Sequence, residues 1–282
     1  MGGSNPTHII MKLKLTEYQN NMLLEFQKRA YSFDWDDNIL FMPTKVFLDK
    51  RVGAGWVPVS VSTEEFVEIR KYIGKLYRYR NNSRDEAFKD FNNYNSFIAD
   101  TKEALIKKSF GPSFNKFIEA LTSASDFSII TARGNPPQAI KDAIKLIIYT
   151  VLNYSERIKM RENLQGTTIA QYLNLQDYYP VSSNEFLKQF EMGSSAEDPE
   201  IAKTVALKNF VSRIVNLVGK IQDNSKYNGI SIGYSDDDLG NIESAEKYIE
   251  ETLKDLYPDV TFLVYDTSDP KNTKKKRIVI KK

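Results

Sequence analysis

Arg29-Ala30-Tyr31-Ser32-Phe33 runs directly into Asp34-Trp35-Asp36-Asp37-Asn38. A short apolar run that stops at two carboxylates in alternating positions reads as a buried strand with polar groups at its C-terminal end. In open α/β sheets, ligands bind in the crevice beyond the carboxyl ends of parallel strands. There, Asp34 and Asp36 can share a magnesium ion and a phosphoryl group, one carboxylate acting as nucleophile and the other as proton donor. The same pair standing alone also fits a turn and helix cap, so the rest of the chain must discriminate.

Three further segments bear on it. Ser128-Ile129-Ile130-Thr131-Ala132-Arg133-Gly134 is a second apolar strand, ending in a hydroxyl. Lys203 and Lys208 lie on a helix expected from Asp198-Pro199 to Leu217. Ile230-Ser231-Ile232-Gly233-Tyr234-Ser235 is a third strand, followed by Asp236-Asp237-Asp238. Taken in this order with Phe33 to Asn38, the segments resemble the four motifs of the haloacid dehalogenase-like (HAD) phosphotransferases. The resemblance spans Phe33 to Asp238. The chain departs from the family pattern at Asp37, where Gly is common, at Asn38, where Thr or Val is common, and at the bulky Trp35.

The resemblance implies a HAD-like α/β fold: a Rossmann-like, mainly parallel sheet flanked by helices, with a β-hairpin flap and a cap insertion. It also implies roles. Asp34 attacks phosphorus and becomes an aspartyl-phosphate. Asp36 protonates the leaving oxygen, then deprotonates the hydrolysing water, and lends its main-chain carbonyl to the metal. Thr131 holds a phosphate oxygen. Lys203, better placed than Lys208, neutralises phosphate charge. Asp34, Asp36, Asp236 and Asp237 form the Mg2+ site. Arg133, with its rigid fork, and Asn38 are the candidates for contacting substrate. Each has a plainer reading. Thr131 can satisfy a local backbone group, Arg133 can form a structural ion pair, and either lysine can sit in solvent. Asp238 reads better as a helix cap than as a ligand.

Composition excludes several alternatives. The 282 residues suffice for a large core, and 41% hydrophobic with 27% charged content is ordinary for a soluble globular chain. A net charge of +2 gives no strong global attraction to nucleic acid. There is no cysteine, which removes thiol chemistry and fits a cytoplasmic protein. The one histidine, His8, lies near the N-terminus, so carboxylates, lysines and hydroxyls must carry any hydrolytic chemistry. No P-loop signature, no transmembrane-length apolar run and no signal-peptide core is present, so no membrane partner is expected.

Along the chain, residues 1–14 read as a flexible or appended N-terminus, and Thr16 to Lys28 as a helix. Lys45 to Leu48 and Trp56 to Val61, joined through Gly53-Ala54-Gly55, read as a β-hairpin. Residues 62–122 read as a mostly helical cap, interrupting a core made of 15–61 and 123–282. Within that cap, Lys71, Lys75, Arg78 and Arg80 interleave with Tyr72, Tyr77 and Tyr79. This is either a nucleic-acid surface or, the preferred reading, a solvated amphipathic helix.

The expected activity is a magnesium-dependent phosphomonoester hydrolase. Its substrate would be a phosphorylated small molecule, such as a nucleotide, or a nucleic-acid terminal phosphate. Transfer to an acceptor other than water is a variant of it. The alternative is a non-catalytic HAD-like module that contacts nucleic acid or protein.

Overall fold

The computed structural model describes residues 28–192, 198–221 and 229–278. The expected N-terminal segment 1–14, His8 and the helix from Thr16 lie outside the described residues, save Lys28, which begins a strand.

Nine strands occur among the described residues: β1 (Lys28–Phe33), β2 (Val46–Val52), β3 (Gly55–Val61), β4 (Tyr77–Tyr79), β5 (Asp126–Thr131), β6 (Asp177–Pro180), β7 (Ile230–Asp236), β8 (Val260–Asp266) and β9 (Lys274–Ile278). Six form one sheet in the order β6-β5-β1-β7-β8-β9. All its neighbours pair in parallel except β8 and β9. This is a Rossmann-like α/β architecture.

Both faces of the sheet are covered, which is why its central strands read as near-continuous apolar runs. Successive side chains still point to opposite faces. Tyr31, Phe33, Phe127 and Ile129 pack with helices Tyr94–Ile106, Phe114–Thr122 and Pro137–Thr150. Ala30, Ile130 and Ile232 pack on the other side, with helix Pro199–Ile221. Helix Pro137–Thr150 shows the logic well. Pro136 and Pro137 start it, where a missing N–H costs nothing. Its stripe of Ala139, Ile140, Ala143, Ile144, Ile147 and Ile148 is fully buried. Each isoleucine there is worth roughly 1.5–3 kcal/mol of burial.

Strand order reverses at β1. The chain leaves β1 for β5 and β6 on one side, then returns to β7 on the other. A crevice opens at such a switch point, beyond the carboxyl ends of the strands. Asp34 follows β1, and Asp236 ends β7.

A second, smaller sheet, β3-β2-β4, is antiparallel and belongs to the covering unit. Helix Thr63–Ile69 joins it, opened by a reciprocal cap between Ser62 and Glu65. The unit has its own core of Val46, Leu48, Ala87 and Phe91, with Phe66 and Phe88 packed against them. The helical cap expected over 62–122 therefore differs from the structure in two ways. The hairpin belongs with the cap rather than with the core. Helices Tyr94–Ile106 and Phe114–Thr122 pack instead into the core around Phe97 and Phe117.

The basic-aromatic stretch is not one helix. Gly74, at φ +83, turns the chain after Tyr72, and Tyr77-Arg78-Tyr79 pairs with β2 as a strand. Alternation then sends Tyr77 and Tyr79 to the inner side and leaves Arg78 to pair with Asp49. Arg80 also pairs with Asp49 and donates to the carbonyls of Leu48 and Val59. These cations brace the hairpin.

The basic run from Lys274 forms edge strand β9, where lysines discourage pairing with another chain. Among the described residues, no helix is long and apolar enough to cross a membrane.

Candidate active site

Asp34 continues the β1–β7 ladder: its N–H donates to the Ser235 carbonyl at 3.0 Å. Its side chain is buried, at 4% residue exposure. Lys203 comes up from the second turn of helix Pro199–Ile221. Its Nζ donates to Asp34 Oδ1 at 2.7 Å and to Asp236 Oδ2 at 2.8 Å. Lys203 shares the buried face with Ala202, Ala206 and Leu207, whereas Lys208 is exposed. Lys203 is thus the lysine at the strand ends. Burial alone would lower its pKa. The carboxylates of Asp236 and Asp34 outweigh that and hold the ammonium above its ordinary range.

Asp236 is fully engaged. Oδ2 accepts from Lys203 and from the Tyr234 hydroxyl at 2.8 Å. Oδ1 accepts from the Asp238 N–H at 3.1 Å and Asn241 Nδ2 at 2.9 Å. Asp34 differs: Lys203 takes Oδ1, and among the described residues no other donor reaches this carboxylate. Burial raises the Asp34 pKa well above the usual carboxylate range; Lys203 opposes this, while Asp236 and Asp36 add to it. Asp237 is raised too, by burial and then by Asp34, Asp236 and Asp37. Asp34, Asp236 and Asp237 thus share the one ammonium of Lys203 in this crevice.

Asp36 faces a different cation. Arg133 Nε donates to Oδ2 at 2.7 Å and Nη2 to Oδ1 at 2.6 Å. Nη2 also donates to the Thr44 hydroxyl, which in turn donates to Asp100. The guanidinium is 1% exposed and lies 4.6 Å from the Phe91 ring centre. Its Nη1 is buried without a hydrogen-bond partner among the described residues. Of its two sequence readings, Arg133 here takes the structural ion pair.

Asn38 is corrected from substrate contact to bracket. It is fully buried; its amide donates to the carbonyls of Asp34 and Ser235, and its oxygen accepts from Thr267. It ties the loops after β1 and β8 to the end of β7. Trp35, fully buried, packs 5.3 Å from Phe97, so the ring enters the core while both flanking carboxylates stay on the polar side. Thr131 ends β5, buried, with Oγ1 accepting from the Arg133 N–H at 3.2 Å. Ala132 and Arg133, rather than Thr131, line the cavity.

Asp37 takes left-handed backbone at φ 55. Its carboxylate accepts from the Thr63 hydroxyl of the covering unit. Burial, then Asp36, raises its pKa to about 6. Asp238 caps helix Leu239–Tyr248 and pairs with Arg70 of the covering unit at 3.2 Å.

The covering unit and the strand ends enclose a cavity of about 420 Å³. Sequence reading missed Tyr234, Asn241, Thr44 and Thr63. Tyr234 could have been found, because it lies two residues before Asp236 on one strand face. The others carry no local signal. Among the described residues, no group of three or more His, Cys, Asp or Glu side chains is arranged to hold a metal. Among the described residues, Asp34, Asp37 and Asp237 line the cavity with a carboxylate oxygen that no donor takes. Compared with known proteins, the chain matches no family profile, no curated protein and no solved structure.

Proposed function

We propose that this chain is a HAD-like, magnesium-dependent phosphomonoester hydrolase with Asp34 as nucleophile. One observation carries the reading: Lys203 bridges Asp34 and Asp236 at the sheet's switch point while, among the described residues, no donor reaches Asp34 Oδ2. A lysine used only for stability has no need to join the ends of two adjacent parallel strands where ligands bind.

Asp34, Asp236 and Asp237, gathered around the one ammonium of Lys203, fit a divalent cation. Magnesium commonly takes one or two carboxylates with water and substrate phosphate, a sparser demand than a three-carboxylate cluster. Asp34 and Asp237 would hold it, and Asp236 would anchor Lys203. When bound, the ion would supply charge compensation between the Asp34 carboxylate and an anionic phosphate.

The remaining steps belong to the chain. Asp34 Oδ2 attacks phosphorus as the bond to the leaving oxygen breaks, giving an aspartyl-phosphate. Asp36 protonates the leaving oxygen. It then takes a proton from the water that attacks phosphorus, and the bond to Asp34 breaks, releasing phosphate. Both Asp36 oxygens are now held by Arg133, so this role requires Asp36 to leave that fork as substrate enters. The covering unit would act as cap and exclude bulk water.

The same closed fork favours the second reading, a non-catalytic module in which Asp36 is purely structural. Phosphate release from a phosphomonoester panel, with and without magnesium, decides between them. Turnover lost on chelation and in Asp34→Asn is the expected result. A folded wild type that turns over no ester and traps no beryllium fluoride at Asp34 would overturn it.

A further inference from the structure

We infer that the cavity takes a small molecule bearing one phosphate and an otherwise uncharged aromatic group, of the nucleoside monophosphate class. This rests on the hydrolase reading and specifies its substrate.

Charge comes first. Eight carboxylates and four cations line the cavity. Three of those cations are already committed: Lys203 to Asp34 and Asp236, Arg133 to Asp36, and Arg70 to Asp238. One phosphate can be balanced by Lys203 and a magnesium ion. Further phosphates would meet carboxylates that have no ion pair among the described residues, including Asp85 and Glu200. A nucleic-acid strand needs cations along its backbone path. In the basic-aromatic stretch, Arg78 and Arg80 are tied to Asp49, and neither they nor Lys71 and Lys75 line the cavity.

Shape and polarity agree. The volume lies in the lower part of the range of about 300–1,000 Å³ typical of small-molecule sites. Opposite the carboxylates, the covering unit presents Val46, Phe66, Val67, Phe88 and Phe91. Phe88 is the hub, with ring centres 5.3 Å from Phe66 and 5.5 Å from Phe91. Phe66 and Phe88 remain half-buried, and Val67 is 43% exposed, although all three are apolar. Arg84, the remaining cation, lies against the Phe88 ring at 5.8 Å. An apolar, aromatic wall facing a phosphate site suits a flat ring with a polar edge. A sugar lying against that wall in place of the ring would leave its hydroxyls unpaired there.

The test compares kcat/KM for adenosine 5′-monophosphate, adenosine 5′-diphosphate, glycerol 3-phosphate and a 5′-phosphorylated decanucleotide, using the full chain with magnesium. The monophosphate should lead by about tenfold or more, the scale of one stacked base. Phe88→Leu, which keeps bulk but loses the ring, should narrow its lead over glycerol 3-phosphate by about tenfold. That change should fall mainly on KM. Val67→Trp, at an exposed position safe for folding, should raise KM for the nucleotide more than for glycerol 3-phosphate. Turnover of glycerol 3-phosphate or the decanucleotide as efficiently as the monophosphate would overturn the inference and leave the hydrolase reading standing. So would a lead that neither variant changes. If no ester is hydrolysed, the hydrolase reading fails and calorimetry judges this inference separately. Saturable binding of adenosine 5′-monophosphate to Asp34→Asn protein, weakened by Phe88→Leu, sustains it; no binding overturns it.

Discussion

Asp34 and Asp36 stand two residues apart, yet each meets a different cation with a different consequence. Lys203 is a point charge divided between Asp34 and Asp236. Arg133 is a planar fork that takes both oxygens of Asp36. A lysine can neutralise a carboxylate and still leave one oxygen for chemistry; a bidentate arginine cannot. Asp37 forms no ion pair among the described residues; the Thr63 hydroxyl donates to it, and Arg133 acts on it only at a distance. Three carboxylates within four residues thus have three electrostatic settings. On the hydrolase reading, Asp34 could attack without rearrangement, whereas Asp36 must first leave its fork.

The largest effect should come from breaking the first setting. Asp34→Asn is near-isosteric but a poor nucleophile. It should lower phosphate release at least ~10³-fold with the far-ultraviolet spectrum unchanged. Retained turnover would move the nucleophile elsewhere.

Next come the two cations, compared by denaturant unfolding. Lys203→Met leaves two buried carboxylates without their cation and should cost about 3–5 kcal/mol. Arg133→Met should cost less, about 1–3 kcal/mol, because Asp36 is 16% exposed and can be reached by water. The reverse order would mean that Arg133, not Lys203, is the main electrostatic anchor.

Asp37 sharpens the contrast through pH. Its folded pKa is raised from 3.8 to about 6. A raised carboxylate contributes stability that is fully present below the unfolded value and lost as pH rises through the folded one. Asp37→Asn removes that dependence, and Asn tolerates the left-handed backbone. Relative to wild type, the metal-free variant should therefore gain stability between pH 4 and 6, by about 1 kcal/mol after discounting for solvent access. Unfolding curves across that range test it; a parallel pH dependence of both proteins would refute it.

The smallest effect is expected at the cavity rim. Arg70 is 45% exposed where it meets Asp238, and Arg70→Gln should change stability by less than ~1 kcal/mol. A larger loss by thermal unfolding would show that this pair holds the covering unit in place.

Much of this site was legible one strand at a time. The β1 and β7 runs end in acids, and β5 ends at Thr131, because buried parallel strands are apolar until they reach the crevice. Lys203 over Lys208 was legible more weakly, from its place near the helix start. The covering unit was misread for a physical reason. Tyr77-Arg78-Tyr79 fits a helix surface as well as a strand until β2 is there to pair with it. The edge strand β6 carries little signal in the sequence, being only four residues long and ending at Pro180.

By itself the sequence determined which groups could do chemistry and that they sit at strand ends, since hydrophobic period and chain breaks are local properties. Tertiary structure alone decided which cation serves which carboxylate. Lys203 reaches Asp34 across 169 residues, and Arg133 reaches Asp36 across 97. Those meetings depend on parallel register and on the rotation of one helix over the sheet. Both follow from packing many side chains together, and no short stretch of chain encodes them.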